Sequence, residues 1–278
     1  MVLIAVGQIC STASMEENLE QCRVVINKAV AAGAKAVFLP EATDYLAHNA
    51  TESLSLCQPT STSPLVLGLQ SLAATHSLPI SVGVHEPSSS SPDKLKNTLL
   101  WISERGEITN RYQKLHLFDI ALPNGGPTMR ESASVERGAA LPAPFPTPAG
   151  KVGPAICFDL RFAELALHHK RLGAEILLYP SAFHPDTGRV HWLPLLQARA
   201  VETLCYVVAA AQVGRHNEVR RSYGHSVVVS PWGEVLAEAG GEWRGEPECL
   251  VVDVDLEYLE GRRRGLPQER RTDLYPEV

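Results

Sequence analysis

What most constrains this chain is its punctuation. Short apolar runs recur along its whole length, separated by stretches of helical spacing or by Gly/Pro turns. Residues 2–9 read as a buried strand. Residues 15–32 read as a helix, with apolar positions at Leu19, Cys22, Ile26, Ala29 and Val30, closed by Gly33. Residues 36–39 form a short strand stopped by Pro40, and 64–76 a helix with Pro at its first position. Strands are expected at 80–84 and 98–102, the latter turning at Glu104-Arg105-Gly106, with a Ser/Pro loop at 87–92 between them. Residues 124–148 carry many Gly and Pro residues and little periodicity, and are a candidate wall for a site. The second half is more regular: strand 152–156, helix 160–172 closed by Gly173, strand 175–179, helix 189–204, then strands 205–212, 225–230, 235–237 and 249–254. Strands that alternate with helices and then give way to hairpins predict an α/β chain with mixed sheets. No repeat or linker divides it, so 1–278 is expected to be a single domain.

Composition narrows the classes of function. The chain has 278 residues, 45% of them apolar, and a net charge of −6, which gives no bias toward polyanions. Arg262-Arg263-Arg264 and Arg270-Arg271 are local exceptions, but without interleaved aromatics they read as a solvated or interface segment, not a nucleic-acid site. Six cysteines form no C-x-x-C pair, and Cys10, Cys22 and Cys205 lie in apolar runs as small hydrophobes. The N-terminus enters a strand without a basic leader, and no apolar stretch reaches membrane-spanning length. A cytoplasmic, non-membrane protein is expected, with a mitochondrial form open to an alternative upstream start.

In open α/β sheets, ligands bind at the carboxyl ends of strands. Glu41 follows Val37-Phe38-Leu39-Pro40. Lys114 ends Arg111-Tyr112-Gln113-Lys114. Cys157 follows Val152-Gly153-Pro154-Ala155-Ile156 and precedes a helical stretch. A thiol at a helix N-terminus is expected to have a lowered pKa, and the Phe158 N–H is free to donate to a developing oxyanion. Singly, each has an ordinary reading: a packed thiol, a first-turn carboxylate and an exposed lysine.

Their surroundings are more specific. Leu39-Pro40-Glu41, Tyr112-Gln113-Lys114-Leu115-His116-Leu117-Phe118-Asp119 and Ile156-Cys157-Phe158-Asp159-Leu160-Arg161-Phe162-x-Glu164-Leu165 resemble, in order and spacing, the Glu–Lys–Cys signatures of the nitrilase superfamily of carbon–nitrogen hydrolases. The resemblance runs from Val6-Gly7-Gln8 through Tyr179-Pro180-Ser181-Ala182-Phe183, Gln197-Ala198-Arg199-Ala200-x-Glu202-Thr203 and Tyr223-Gly224-His225-Ser226 to Arg270-Arg271-x-Asp273-Leu274-Tyr275. Residues 181–226 are most similar to the Nit1 branch, through Thr187-Gly188-x-x-His191-Trp192 and Ala209-Ala210-Ala211-Gln212-x-Gly214-Arg215-His216. Gln113 stands where the family commonly has Arg, and Ala163 where it has Pro.

The resemblance implies a four-layer α-β-β-α sandwich that dimerises through helical faces, with the tail 266–278 at the dimer interface. It implies an amidase without metal or organic cofactor. Cys157 is the nucleophile, Glu41 the general base, and Lys114 with the Phe158 N–H the oxyanion donors. Glu131 is a second glutamate that positions Lys114 or helps activate water; otherwise it is an exposed loop carboxylate. Arg161 is expected to bind a substrate carboxylate, and Phe183 and Thr187 to line the pocket. His191, Arg199 and Glu202 are read as supporting or core polar residues. The branch implies a small amide bearing a carboxylate, deaminated glutathione, cleaved to 2-oxoglutarate and Cys-Gly. The alternatives are an ω-amidase acting on 2-oxoglutaramate, or a binding or signalling protein on the same scaffold.

Other chemistries fit less well. A Cys–His hydrolase would use His116 or His225, but neither is paired with Cys157 by any motif. Gly224-His225-Ser226-Val227-Val228 lacks the closing glycine of a serine elbow. Adjacent His168 and His169 would point about 100° apart on a helix, which disfavours a shared zinc ion. A Schiff-base role for Lys114 would require a lysine buried away from carboxylates.

Overall fold

The computed structural model describes residues 1–121 and 128–276. Positions 124–127 of the expected site-wall stretch and 277–278 of the tail lie outside the described residues. The N-terminal run forms the strand Val2–Gln8, paired antiparallel with Glu248–Val254 and parallel with Val37–Phe38. The sheet continues through Ile80–Pro87, Leu95–Ile102 and Ile108–Gln113, and Val135–Glu136 adds to Leu95–Ile102 as a seventh strand. A six-stranded sheet follows the order Val235–Glu238, Val227–Val229, Tyr206–Ala209, Ile176–Leu178, Gly150–Pro154, Phe145–Thr147.

Strand alternation explains the layering. Ile4, Val6, Phe38, Leu99 and Trp101 face inward and share one buried cluster with Val152, Ile176, Leu178 and Val208 of the second sheet. Their neighbours Ala5, Val37, Leu100 and Ile102 face the other way, onto Cys22, Val25, Ile26, Leu65 and Leu69 of the helices Met15–Ala32 and Pro64–His76. Ala163–Arg171 and Pro185–Thr203 bury Leu165, Ala166, Trp192, Leu196 and Ala200 in the cluster of the second sheet. The result is the expected four-layer α-β-β-α sandwich.

Where capping signals were strong, helix boundaries follow the sequence. Ser14 caps Met15–Ala32 by accepting from the Glu17 N–H at 3.2 Å, and Gly33 closes it in the left-handed conformation. Ser63 and Pro64 begin Pro64–His76 in the same manner. The helix expected at 189–204 starts earlier, at Pro185, because His184 caps it and Pro185 occupies its first position. The helix expected at 160–172 is interrupted: Cys157–Arg161 is a 3-10 turn, Phe162 is extended, and the α-helix is Ala163–Arg171. Arg199 Nε donates to the Leu160 carbonyl at 3.1 Å, which occupies an acceptor that a continuous helix would use.

Two helices, Ala50–Leu56 and Leu256–Gly265, carried too little periodicity to be read from sequence. The second contains the arginine run expected to be a solvated or interface segment. Arg263 Nη2 donates to the Ala174 carbonyl at 2.7 Å, and Arg262 stands between the rings of Trp232 and Tyr258 at 4.5 and 4.7 Å.

Gly83 shows how the first sheet positions its edge. Its N–H donates to Pro40 O and its carbonyl accepts from the Thr43 N–H, both at 2.9 Å, so pairing extends past Phe38 to Glu41. A Cβ on Gly83 would lie 2.6 Å from Glu41 Cα. Backbone cannot yield as a flexible side chain does, so Gly83→Ala is expected to lower the unfolding free energy in urea by about 1–3 kcal/mol. A midpoint equal to that of the parent chain would show that this close approach is not required.

Candidate active site

Parallel pairing gathers strand ends at one edge. Val2–Gln8, Val37–Phe38 and Ile80–Pro87 run in one direction, and Ile108–Gln113 regains it after two antiparallel steps. Glu41 and Lys114 therefore emerge together. In the second sheet Gly150–Pro154, Ile176–Leu178 and Tyr206–Ala209 are also parallel, and Cys157 and Ala182 follow two of their ends. Gln212 joins the halves. Its side chain accepts from the Ser11 N–H at 2.9 Å and donates to the backbone carbonyl of Glu41 at 3.0 Å.

The centre of the site is a buried ion cluster. Lys114 is 2% exposed and Glu41 4%. Lys114 Nζ donates to Glu41 Oε1 at 2.8 Å and to both Glu131 oxygens at 3.0 Å. Asn97 Nδ2 bridges the carboxylates, donating to Glu41 Oε1 at 2.8 Å and Glu131 Oε1 at 3.0 Å. The Ala182 N–H donates to Glu41 Oε2 at 2.8 Å, and the Phe118 N–H to Glu131 Oε2 at 2.6 Å. Burial alone would raise the Glu41 pKa, but the Lys114 ammonium and the hydrogen bonds outweigh it and hold the carboxyl below its usual range. Burial likewise opposes the Lys114 charge, yet Glu131 and Glu41 hold that pKa well above the ordinary lysine value. At neutral pH the pair is ionised. Lys114 is thus not the exposed lysine, Glu41 not the first-turn carboxylate, and Glu131 not the exposed loop residue of the ordinary readings.

Cys157 sits on a constrained turn. Its φ of 46° is in the left-handed region, which costs a residue with a Cβ about 1–3 kcal/mol. Asp159, fully buried, holds the turn: its carboxylate accepts from the Ile156 N–H at 2.9 Å, the Tyr112 hydroxyl at 2.6 Å and the His116 N–H at 3.0 Å. The expected lowering of the Cys157 pKa is corrected. Burial and the Glu41 charge raise it well above the ordinary thiol value, against the opposing pull of Lys114. A short 3-10 turn has little dipole to set against that burial. The resting Cys157 side chain is therefore a thiol beside a carboxylate. Among the described residues no group accepts from the Phe158 N–H, which stays available as a donor.

These groups open into a cavity of about 460 Å³, whose wall includes Glu41, Asn97, Lys114, Glu131 and Cys157. The four residues expected to contact substrate, Phe158, Arg161, Phe183 and Thr187, do not line it. The Arg161 guanidinium lies 5.5 and 5.8 Å from the Phe158 and Phe183 ring centres and shares a 3.2 Å hydrogen bond with His191. Thr187 Oγ1 donates to the His184 carbonyl at 3.2 Å.

The rival residues have other partners. The His116 ring stacks on Phe162 at 3.6 Å and meets Asp159 at 2.7 Å; His225 pairs with Glu238 at 2.7 Å. Ser226 Oγ accepts from the Ala211 N–H at 2.8 Å, and His169 Nε2 lies 2.9 Å from Pro154 O. Among the described residues no group of three His, Cys, Asp or Glu side chains could hold a metal ion, and no helix is long and apolar enough to cross a membrane. The sequence reading assigned no role to Asn97, Asp159 or Gln212, although Asp159 and Gln212 lie within the motifs that carry the resemblance. Asn97 reaches the site only because it opposes Lys114 across an antiparallel ladder, with the Lys114 N–H on Asn97 O at 2.9 Å.

The carbon-nitrogen hydrolase profile matches residues 3–264. A probable hydrolase, nit2, of Schizosaccharomyces pombe is 45% identical over all of this chain and all of its own length. The deaminated glutathione amidase of Bos taurus is 46% identical over 98% of this chain and 83% of its own. The Caenorhabditis elegans NitFhit crystal structure superposes with a TM-score of 0.91 at 38% identity, covering 99% of this chain and 66% of that one. A variant amidase from Nesterenkonia sp. AN1, with acrylamide added at its active-site cysteine, superposes with a TM-score of 0.77 at 25% identity over 95% of this chain and 98% of its own.

The depressed Glu41 pKa carries a sign. A carboxyl held below its unfolded value contributes stability that is complete above the unfolded pKa, about 4.3, and is lost as pH falls through the folded one. The difference in thermal midpoint between the parent chain and Glu41→Gln is thus expected to be full at neutral pH and to close below about pH 4. A gap that does not change with pH would mean that Glu41 is not held ionised by Lys114.

Proposed function

The chain belongs to the carbon–nitrogen hydrolase family and is therefore a hydrolase of carbon–nitrogen bonds, and from that premise we propose that it cleaves deaminated glutathione to 2-oxoglutarate and cysteinylglycine through a thioester on Cys157. The observation that carries the proposal is the Lys114 ammonium held between two carboxylates in the wall that also contains Cys157. Identity of 45–46% to proteins described as deaminated glutathione amidases supports the substrate. The adduct on the cysteine of the Nesterenkonia amidase supports a covalent step.

The electrostatics fit this order of events. Cys157 begins protonated and Glu41 ionised, so sulfur passes its proton to Glu41 as it attacks the amide carbon. The carbonyl oxygen becomes an oxyanion, which the Lys114 ammonium and the Phe158 N–H stabilise; one such donor contributes about 3–4 kcal/mol in comparable sites. Glu41 then returns the proton to the departing nitrogen, and cysteinylglycine leaves. Water, deprotonated by Glu41, attacks the thioester and restores the thiol. Glu131 holds Lys114 in place through both of its oxygens. Arg161 binds the carboxylate of the acyl part, giving up its hydrogen bond to His191 for that of the substrate. Its Nε is buried without a partner and its charge is within electrostatic reach of Cys157.

Intact-protein mass spectrometry with a slowly turned-over substrate is expected to find an acyl adduct on the parent chain and none on Cys157→Ala, which should also lose turnover. Equal turnover by the two proteins would end the cysteine mechanism. Comparing kcat/KM for deaminated glutathione and 2-oxoglutaramate separates this activity from an ω-amidase. Arg161→Met is expected to lower kcat/KM for amides with an acidic acyl part by roughly 10- to 100-fold more than for neutral amides. Equal losses on both would make Arg161 structural.

A further inference from the structure

The cavity wall holds three arginines with no assigned task, Arg130, Arg220 and Arg221. Lys114 is engaged by Glu41 and Glu131, and Arg130 and Arg221, also in the wall, are exposed, so water screens them. Arg220 is different. It is half-buried, and among the described residues its guanidinium makes no hydrogen bond or ion pair. Burial lowers its pKa, and the carboxylates of Glu41 and Glu131 oppose that shift from a distance. A guanidinium withdrawn from water without an acceptor is costly, and an incoming anion relieves that cost.

The backbone around Arg220 is built to hold it there. Asn217 Oδ1 accepts from the Val219 and Arg220 N–H groups at 3.0 and 2.9 Å, and the Arg220 carbonyl accepts from the His216 N–H at 3.0 Å. Asn217 Nδ2 donates to Leu46 O at 3.1 Å, which ties this loop to the segment that follows Glu41. Arg220 thus belongs to the Glu41 side of the cavity, whereas Arg161 belongs to the nucleophile's own turn.

The chemistry distinguishes those sides. The departing nitrogen must face Glu41, which protonates it, so whatever is attached to that nitrogen extends along the wall formed by Tyr45, Leu46 and Arg220. We propose that Arg220 binds the carboxylate at the far end of the leaving group, making the site selective for amides of short peptides with a free C-terminus. This rests on the amidase reading above. Two extended residues span at most about 7 Å, which a cavity of about 460 Å³ accommodates beside the acyl part.

The test compares deaminated glutathione with its C-terminal carboxamide counterpart on the parent chain, Arg220→Gln and Arg220→Lys, after thermal midpoints confirm that each is folded. On the parent chain, replacing the carboxylate is expected to lower kcat/KM roughly 10- to 100-fold, the range of one charge-assisted hydrogen-bonded pair. In Arg220→Gln that discrimination should fall to about threefold or less, and Arg220→Lys, which keeps charge but loses the fork, should retain part of it. Turnover with discrimination intact in Arg220→Gln overturns the subsite alone. No turnover of either compound by the parent chain overturns the substrate reading and the subsite with it.

Discussion

A lysine with almost no contact with water is the constraint around which this structure is arranged. An ammonium in that position is tolerated only with carboxylates against it, and removing one partner of such a buried pair costs about 3–5 kcal/mol. Lys114 has two, and each carboxylate is fixed in turn by a backbone N–H, Ala182 for Glu41 and Phe118 for Glu131. Asn97 links them, so no member can move without leaving another unsatisfied. The cluster joins parts of the chain that are far apart in sequence, and it brings a positive charge to the wall where an oxyanion would form.

The same economy governs the nucleophile. Cys157 carries backbone strain and a protonated thiol, both unfavourable to an isolated cysteine's reactivity. The strain is stabilised from beneath by Asp159, whose hydrogen bonds join the turn to Tyr112 and His116 of the first half of the chain. Protonation is matched by an ionised Glu41, so the thiol needs no standing thiolate. In the proposed reaction the proton moves inside a site whose charges are already in place.

Some of this was open to a reader of residues alone. Strand–helix alternation, Ser14 and Gly33 at one helix and Ser63-Pro64 at another reflect local physics, and their boundaries agree with the structure. Glu41, Lys114 and Cys157 stood out because reactive residues at strand ends sit in distinctive local motifs, and Glu131 entered only through the family resemblance. Arg161, Phe183 and Thr187 were also legible as motif residues, but the packing of Arg161 against Phe158 and Phe183 was not. The helix expected there breaks at Phe162, where the Leu160 carbonyl accepts from Arg199, which comes from another helix.

The sequence by itself determined the alternation of strands and helices, because periodicity and turn chemistry act over a few neighbours; the four layers and the joint reading of Glu41, Lys114 and Cys157 came with the family resemblance. Tertiary structure decided charge state and pairing. The direction of the Cys157 shift, the burial of Lys114, the arrival of Asn97 through cross-strand register and the guanidinium of Arg220, without a partner among the described residues, all depend on what distant segments place alongside. Desolvation and Coulomb interactions act through space, over distances that sequence separation does not record.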